Sequence, residues 1–226
     1  IVWDDLKIFI PEMKEDSNIA VLDNFSSPFN SFETTNCCMK FDFLFTIFVL
    51  EGSIEIQVDD VAYSLDTNDW IVVLKGQKYQ TLNFGDNSKI GICCFKNWYL
   101  YMESCASRAI NLLDRILREP IISFSREGAL EYLDVCKQIK KYASDDNSVC
   151  RTNILEGYHF ILFMLIHDNA LGKDGLECDD IKSKVVIYRM FIGYVEDYYS
   201  EERTVGFYAD KLGFTPQYLS SVIYQI

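Results

Sequence analysis

The sequence predicts an α+β chain: an all-β first part, a helical hairpin, and a closing pair of short helices. Three observations carry this. Between residues 32 and 95, short apolar runs alternate with turn residues, as in a β-sandwich or small barrel. Beyond residue 97, apolar residues recur at helical spacing. Residues 204–224 then read as two amphipathic helices joined by a tight turn at Gly213. With 226 residues, 16 Phe, 14 Tyr and 3 Trp, the chain has room for two compact domains and enough apolar surface to fill them.

Taken in order, residues 1–13 mix apolar and charged types and read as an extended arm, and 12–18 as a polar loop. Residues 20–25 read as a first strand, broken by Ser26-Ser27-Pro28. Residues 39–50 are rich in Phe, Leu, Ile and Val. Glu51-Gly52-Ser53 turns them into Ile54, Ile56 and Val58, which alternate with Glu55 and Gln57 as in a half-buried strand. Asp59-Asp60 leads back through Val61, Tyr63 and Leu65, which share a face. Thr67-Asn68-Asp69, Gly76-Gln77 and Gly85-Asp86-Asn87 turn into strands at 70–74, 79–84 and 90–95.

Residues 101–118 form a helix that buries Met102, Cys105, Ile110, Leu113, Ile116 and Leu117 and ends at Pro120. Residues 121–124 are a short extended link. Ser125 caps a helix running to about Ala143, with Leu130, Leu133, Ile139 and Tyr142 or their neighbours inward, and 145–148 is the hairpin loop. Residues 152–171 return with Ile154, Leu155, Tyr158, Ile161, Leu162, Leu165 and Ile166 on one face. Phe160, Phe163 and Met164 add a second apolar face. A helix that is apolar on more than one side must be covered on more than one side, and a second protomer is an economical cover. Phe160, Phe163 and Met164 are therefore the expected dimer contact. The Gly-rich, charged residues 171–180 mark a domain boundary, and 182–199 is a helix leading into the final motif.

In that motif Phe207, Tyr208 and Leu212 share one side of the first helix, and small Ala209 allows the second helix to cross close by. Gly213 suits the left-handed position that ends a helix. Thr215 is a good N-cap, and Pro216 suits a first helical turn. Leu219, Val222 and Ile223 form an inward stripe, leaving Gln217, Ser220, Ser221 and Tyr224 outward. This is a helix-turn-helix pattern whose second helix is the candidate reader of a major groove.

The formal net charge is −13. Residues 183–226 hold four basic against five acidic residues, net −1, so the preceding residues carry −12. A body this acidic is repelled by phosphate backbones and cannot itself be a nucleic-acid surface. The eight cysteines are Cys37, Cys38, Cys93, Cys94, Cys105, Cys136, Cys150 and Cys178. None forms a C-x-x-C and no His lies near them, which argues against structural zinc. The two adjacent pairs lie in apolar runs and read as buried thiols. The longest apolar run, 160–166, is too short to cross a bilayer, and no signal-like N-terminus is evident. A cytoplasmic protein without a membrane partner is expected.

The run Phe207-Tyr208-Ala209-Asp210-Lys211-Leu212, followed by Thr215-Pro216-Gln217-Tyr218-Leu219-Ser220, resembles the first helix-turn-helix of the AraC/XylS transcription regulators. Phe191, Tyr198 and Arg203 extend the resemblance backwards. Family members carry two such units bridged by a long helix. Here the chain opens at Ile1 and stops inside the second helix of the first unit, so a sensor with a truncated reader is expected. Residues 48–54 and 69–76 resemble the cupin-type jelly roll with which such regulators bind small molecules. Enzymatic cupins place a His-x-His and a Glu ahead of the turn glycine. The corresponding strand, 43–48, has no His, and the only histidines are His159 and His167. Neither metal nor cofactor is expected.

The resemblance thus implies a cupin-like sensor barrel at 1–98, a helical linker and dimerisation region at 99–171, and a first helix-turn-helix unit at 181–226. It implies a dimeric, ligand-sensing, DNA-binding regulator rather than an enzyme. Gln217, Ser220 and Ser221 match positions that face the groove, and Thr215 is placed to hold a phosphate. Tyr224 departs from the family's habit of a basic residue, so DNA binding by this chain is expected to be weak and to need the second helix-turn-helix unit that family members carry. Trp70, Tyr79, Cys93 and Phe95 are the expected lining of an apolar ligand pocket, with residues 76–81 as its loop. Two other classes compete: a metal-free cupin-like enzyme, for which Glu51, Asp59 and Asp69 are the available carboxylates, and an adaptor that senses a protein partner.

Overall fold

A computed structural model describes residues 1–8, 10, 18–23, 38–96, 106–145, 147–171 and 180–225. All but the last residue of the expected loop at 12–18, the Ser26-Ser27-Pro28 break, the start of the first helix with Met102 and Cys105, and residues 172–179 of the expected linker lie outside these residues. Contacts divide the chain into two compact units: residues 1–98 with 120–169, and residues 99–119 with 170–226. The stretch 99–171, read as one region in the sequence, is shared between them.

In the first unit, the strands are β1 (Ile19–Asp23), β2 (Met39–Lys40), β3 (Leu44–Glu51), β4 (Ser53–Val58), β5 (Val61–Asp66), β6 (Asp69–Val73), β7 (Lys78–Phe84), β8 (Lys89–Phe95) and β9 (Ile121–Ser123). They form two antiparallel sheets, ordered β1-β8-β3-β6-β9 and β2-β7-β4-β5. The orders 1-8-3-6 and 2-7-4-5 are those of an eight-stranded jelly roll. Gly52 makes the β3–β4 turn at φ +80°, where a Cβ would meet Ser88 Oγ at 2.4 Å. Only glycine fits that close approach.

Burial along the strands reports the layers. In β3 six successive residues are buried, and β6 is buried over its last four. β4 instead alternates along its length. The five-stranded sheet is therefore covered on both faces, whereas the four-stranded sheet has one face in water. Between the sheets, Phe45, Ile47, Ile71 and Ile92 of the five-stranded sheet, with Phe41 and Phe43 from the link before β3, pack with Ile54, Ile56 and Tyr79 of the four-stranded sheet. Phe41, Phe43, Phe45 and Tyr79 meet edge-on at 4.7–6.3 Å between ring centroids.

The outer face is covered by α2 (Arg126–Ala143) and α3 (Arg151–Leu171). Ser125 Oγ accepts from Gly128 N at 3.1 Å, the expected cap of α2. The buried stripe of α2 is Ala129, Tyr132, Cys136 and Ile139, whereas Leu130 is exposed. Of the expected inward residues or their neighbours, Ile139 itself is buried, and at Leu130 it is the neighbour Ala129 that turns inward. The helix is turned so that Tyr132 reaches hydrogen-bond partners on the sheet, and those were invisible in an apolar count.

One further expectation is refined and one corrected. The extended link at 121–124 is β9, whose Ile121, Ile122 and Ser123 pair with Ile71, Trp70 and Asp69 of β6. Three residues are too few for alternation to announce a strand. The arm at the start holds a 3-10 turn, Trp3–Ile8, which buries Trp3 and Leu6. Trp3 sits edge-on to Phe43 at 5.4 Å.

The second unit is helical: α1 (Ala106–Arg118), α4 (Asp180–Tyr198), α5 (Val205–Leu212) and α6 (Pro216–Gln225). α4 packs against α1, α5 and α6. Among the described residues, no helix is long and apolar enough to cross a membrane.

Candidate nucleic-acid interface and sensor interior

The closing motif is built as a helix-turn-helix. Thr204 Oγ1 caps α5, accepting from Phe207 N at 3.4 Å. Gly213 ends it at φ 72°, in the left-handed region. Phe214 N then donates to Ala209 O at 2.9 Å. Thr215 Oγ1 accepts from Tyr218 N at 3.2 Å and so caps α6. Tyr208, Ala209 and Leu212 of α5 and Leu219 and Val222 of α6 are buried, as are Val186, Ile187, Met190 and Tyr194 of α4. Tyr208 O–H donates to Glu202 O at 2.7 Å, and its ring takes Phe191 edge-on at 5.5 Å. Tyr198 meets Phe207 at 5.4 Å, and Lys211 Nζ lies 5.7 and 5.8 Å from those two rings.

With the inner stripe buried, the other side of α6 is left to solvent. Thr215, Gln217, Ser220, Ser221 and Tyr224 are all exposed. Helical spacing puts Gln217, Ser220, Ser221 and Tyr224 on one face. Two neighbours escaped the sequence reading. Tyr218 is exposed and leans on Phe214 at 5.1 Å, and Gln225 Nε2 donates to Ser221 Oγ at 3.3 Å. Their signal was the same helical spacing, carried one turn further.

The four residues expected to line a pocket are all buried, but they do not converge. Tyr79 points into the interior between the sheets. Its hydroxyl shares a hydrogen bond with Thr81 Oγ1 at 2.8 Å, and burial pushes its pKa up to about 12 against that bond. Trp70, Cys93 and Phe95 lie on the opposite face of the five-stranded sheet, because side chains alternate along β6 and β8. There Trp70 Nε1 donates to Tyr132 Oη at 3.3 Å, and Tyr132 O–H donates to Cys93 Sγ at 3.4 Å. The Phe95 ring lies 4.7 Å from that of His159. Burial drives the His159 pKa down to about 3 and raises that of Tyr132 well above its usual value.

The three carboxylates considered for acid–base work sit at separate turns, each engaged. Glu51 pairs with Lys89 at 2.7 Å. Asp59 accepts from Lys78 N at 2.9 Å and from Gln77 Nε2 at 3.0 Å. Asp69 accepts from Ser123 Oγ at 2.6 Å and from Asp66 N at 2.9 Å. They brace turns and do not converge on a common point. Among the described residues no cluster of three or more His, Cys, Asp or Glu could hold a metal ion. Of the expected dimer contacts, Phe160 is exposed and Met164 half-buried, but Phe163 is buried. It lies on the same side of α3 as Leu155, Leu162 and Ile166, one residue round from the face assigned to it.

No family model matches the chain, and no curated protein matches it in sequence. Solved structures similar to it include AraC-like regulators and cupin domains. One is the AraC-like transcriptional activator CuxR, at 8% identity and TM-score 0.41, covering 81% of this chain and 61% of that one. The chain therefore spans less than two thirds of that structure's length. Another is ToxT of Vibrio cholerae bound to (E)-4-(8-methylnaphthalen-1-yl)but-3-enoic acid, at 8% identity and TM-score 0.39, covering 91% and 94%. A third is the cupin domain of Schizosaccharomyces pombe Cnp3, at 14% identity and TM-score 0.28, covering 36% and 55%.

Proposed function

We propose that this chain is a DNA-binding transcription regulator of the AraC type, in which the jelly roll senses and the helix-turn-helix reads. One observation carries the reading: α6 is capped at Thr215, anchored by buried Leu219 and Val222, and turns a hydrogen-bonding face of Gln217, Ser220 and Ser221 to solvent. A helix so held can lie in a major groove, with Gln217 directed at base edges and Thr215 at a phosphate. This face carries no cation, and Lys211 is drawn towards aromatic rings. Few counterions are released on binding, so affinity is modest and its salt dependence shallow.

The sensing element is the interior between the two sheets. Its side chains are aromatic and aliphatic, with Tyr79 and Thr81 as a hydroxyl pair. That suits a small apolar molecule with one polar group. Phe160 and Met164 on α3 are the contact offered to a second protomer.

The test is selection of duplexes from a randomised pool, followed by titration of the enriched sequence at two salt concentrations. Enrichment of a motif, with binding reduced about tenfold by Gln217→Ala and unaffected by Leu130→Ala, supports the assignment (a tenfold loss is about 1.4 kcal/mol). No enriched motif, or equal effects of the two substitutions, removes it.

A further inference from the structure

Cys93 and Cys136 are brought together from residues 43 apart in the chain, their sulfurs 3.5 Å from each other. Cys93 stands on the outer face of β8 and Cys136 on the buried stripe of α2, so the pair spans the joint between sheet and covering helix. Its surroundings are polar for so buried a place. Tyr132 O–H donates to Cys93 Sγ at 3.4 Å, Thr46 Oγ1 lies 3.3 Å from the Tyr132 hydroxyl, and Trp70 Nε1 donates to that hydroxyl at 3.3 Å. Neighbouring Cys94 faces the interior between the sheets and is out of reach. Hydrogen bonds from Cys136 and from the hydroxyls hold the Cys93 thiol below its usual range in spite of burial, while Cys136 is pushed up. Cys93 Sγ, which accepts from the Tyr132 hydroxyl as well as facing Cys136, is placed as the nucleophile, and Cys136 as the resolving thiol.

We propose that Cys93 and Cys136 form a redox-modifiable dithiol, which a small peroxide closes into a disulfide joining α2 to the five-stranded sheet. The Cys93 thiolate attacks one peroxide oxygen and the O–O bond breaks. The departing hydroxide takes up the thiol proton as water and leaves a sulfenic acid. The Cys136 sulfur then attacks Cys93, the S–S bond forms and the S–O bond breaks. A second hydroxide leaves with the Cys136 proton as another water. Two electrons pass from the thiols to the peroxide, and both oxygens end in water. Because both sulfurs are buried, the oxidant enters by local opening of α2, so exposed Cys38 and Cys150 react first. Closing the contact from 3.5 Å to the roughly 2 Å of a disulfide needs side-chain rotation and a small shift of the helix.

The experiment is native exposure of the chain to millimolar hydrogen peroxide. It is followed by a denaturing quench with N-ethylmaleimide and peptide mapping. A dithiothreitol-sensitive peptide linking Cys93 to Cys136 is expected. Recovery of both residues as maleimide adducts after Cys38 and Cys150 have been consumed overturns the proposal. So does their recovery as unlinked sulfinic acids. A second reading is the melting temperature, which oxidation should raise by about 5 °C in the unaltered chain. The rise should vanish in Cys136→Ala, and an equal rise in that variant also overturns the proposal.

Discussion

The two faces of the five-stranded sheet are built on different chemistry. Between the sheets, Phe45, Ile47, Ile71 and Ile92 meet Ile54, Ile56 and Tyr79, and the contacts are almost wholly hydrocarbon and aromatic edge. Beneath the helices, residues next to these in sequence (Thr46, Trp70 and Cys93) meet Tyr132 and Cys136, and Phe95 meets His159, in a layer with its own hydrogen bonds. One chain segment feeds both because strand side chains alternate. The first layer depends on volume and the second on every polar group keeping its partner.

That contrast can be broken or sharpened by substitution. The largest effect is expected from Phe45→Ala, which empties the centre of the ring cluster and should cost about 3–5 kcal/mol in urea unfolding. A loss below that of any outer-face variant would mean that the inner layer collapses to fill the hole.

Next comes pH. Folded His159 has its pKa pushed down to about 3 by burial, against an ordinary 6.5. Between those values the unfolded chain holds a proton that the folded chain does not. The stabilisation is complete above pH 6.5 and is lost as pH falls towards 3, at about 1.4 kcal/mol per pH unit. Urea midpoints from pH 7 to 5 should show this slope flattened in His159→Phe, and an unchanged slope would rule out His159 as its source.

A smaller loss is expected for Tyr132→Phe, which removes the hydroxyl that accepts from Trp70 and donates to Cys93. It should cost about 1–3 kcal/mol. Tyr79→Phe, which breaks a single hydroxyl pair in the inner layer, should cost less. The reverse order would contradict the division of labour between the layers. Smallest of all, Leu130→Ala should change stability by less than about 0.5 kcal/mol, because Leu130 faces water. Ile139→Ala on the buried stripe should cost about 2–5 kcal/mol. Similar losses for the two would mean that α2 is rotated from the orientation described.

The helix-turn-helix was legible down to single residues. Gly213, Thr215 and the Leu219–Val222 stripe act as their types dictate, since capping and helical periodicity are local. The pocket was not. Trp70, Cys93 and Phe95 were grouped with Tyr79 because all sit in apolar strands, yet the pleat sends the three away from it. A continuous apolar run shows that both faces are covered without showing by what. Phe163, one residue from exposed Phe160, fell on the buried side for the same reason.

The sequence by itself therefore determined most of the strands, the turns, the α2 cap and the helix-turn-helix, each written within a few neighbouring residues. Only the tertiary structure decided which layer each buried side chain joined, that residues 121–123 close the sheet edge, and that Cys93 meets Cys136. Those outcomes rest on contacts between residues tens of positions apart, and strand pairing and helix rotation settle them together.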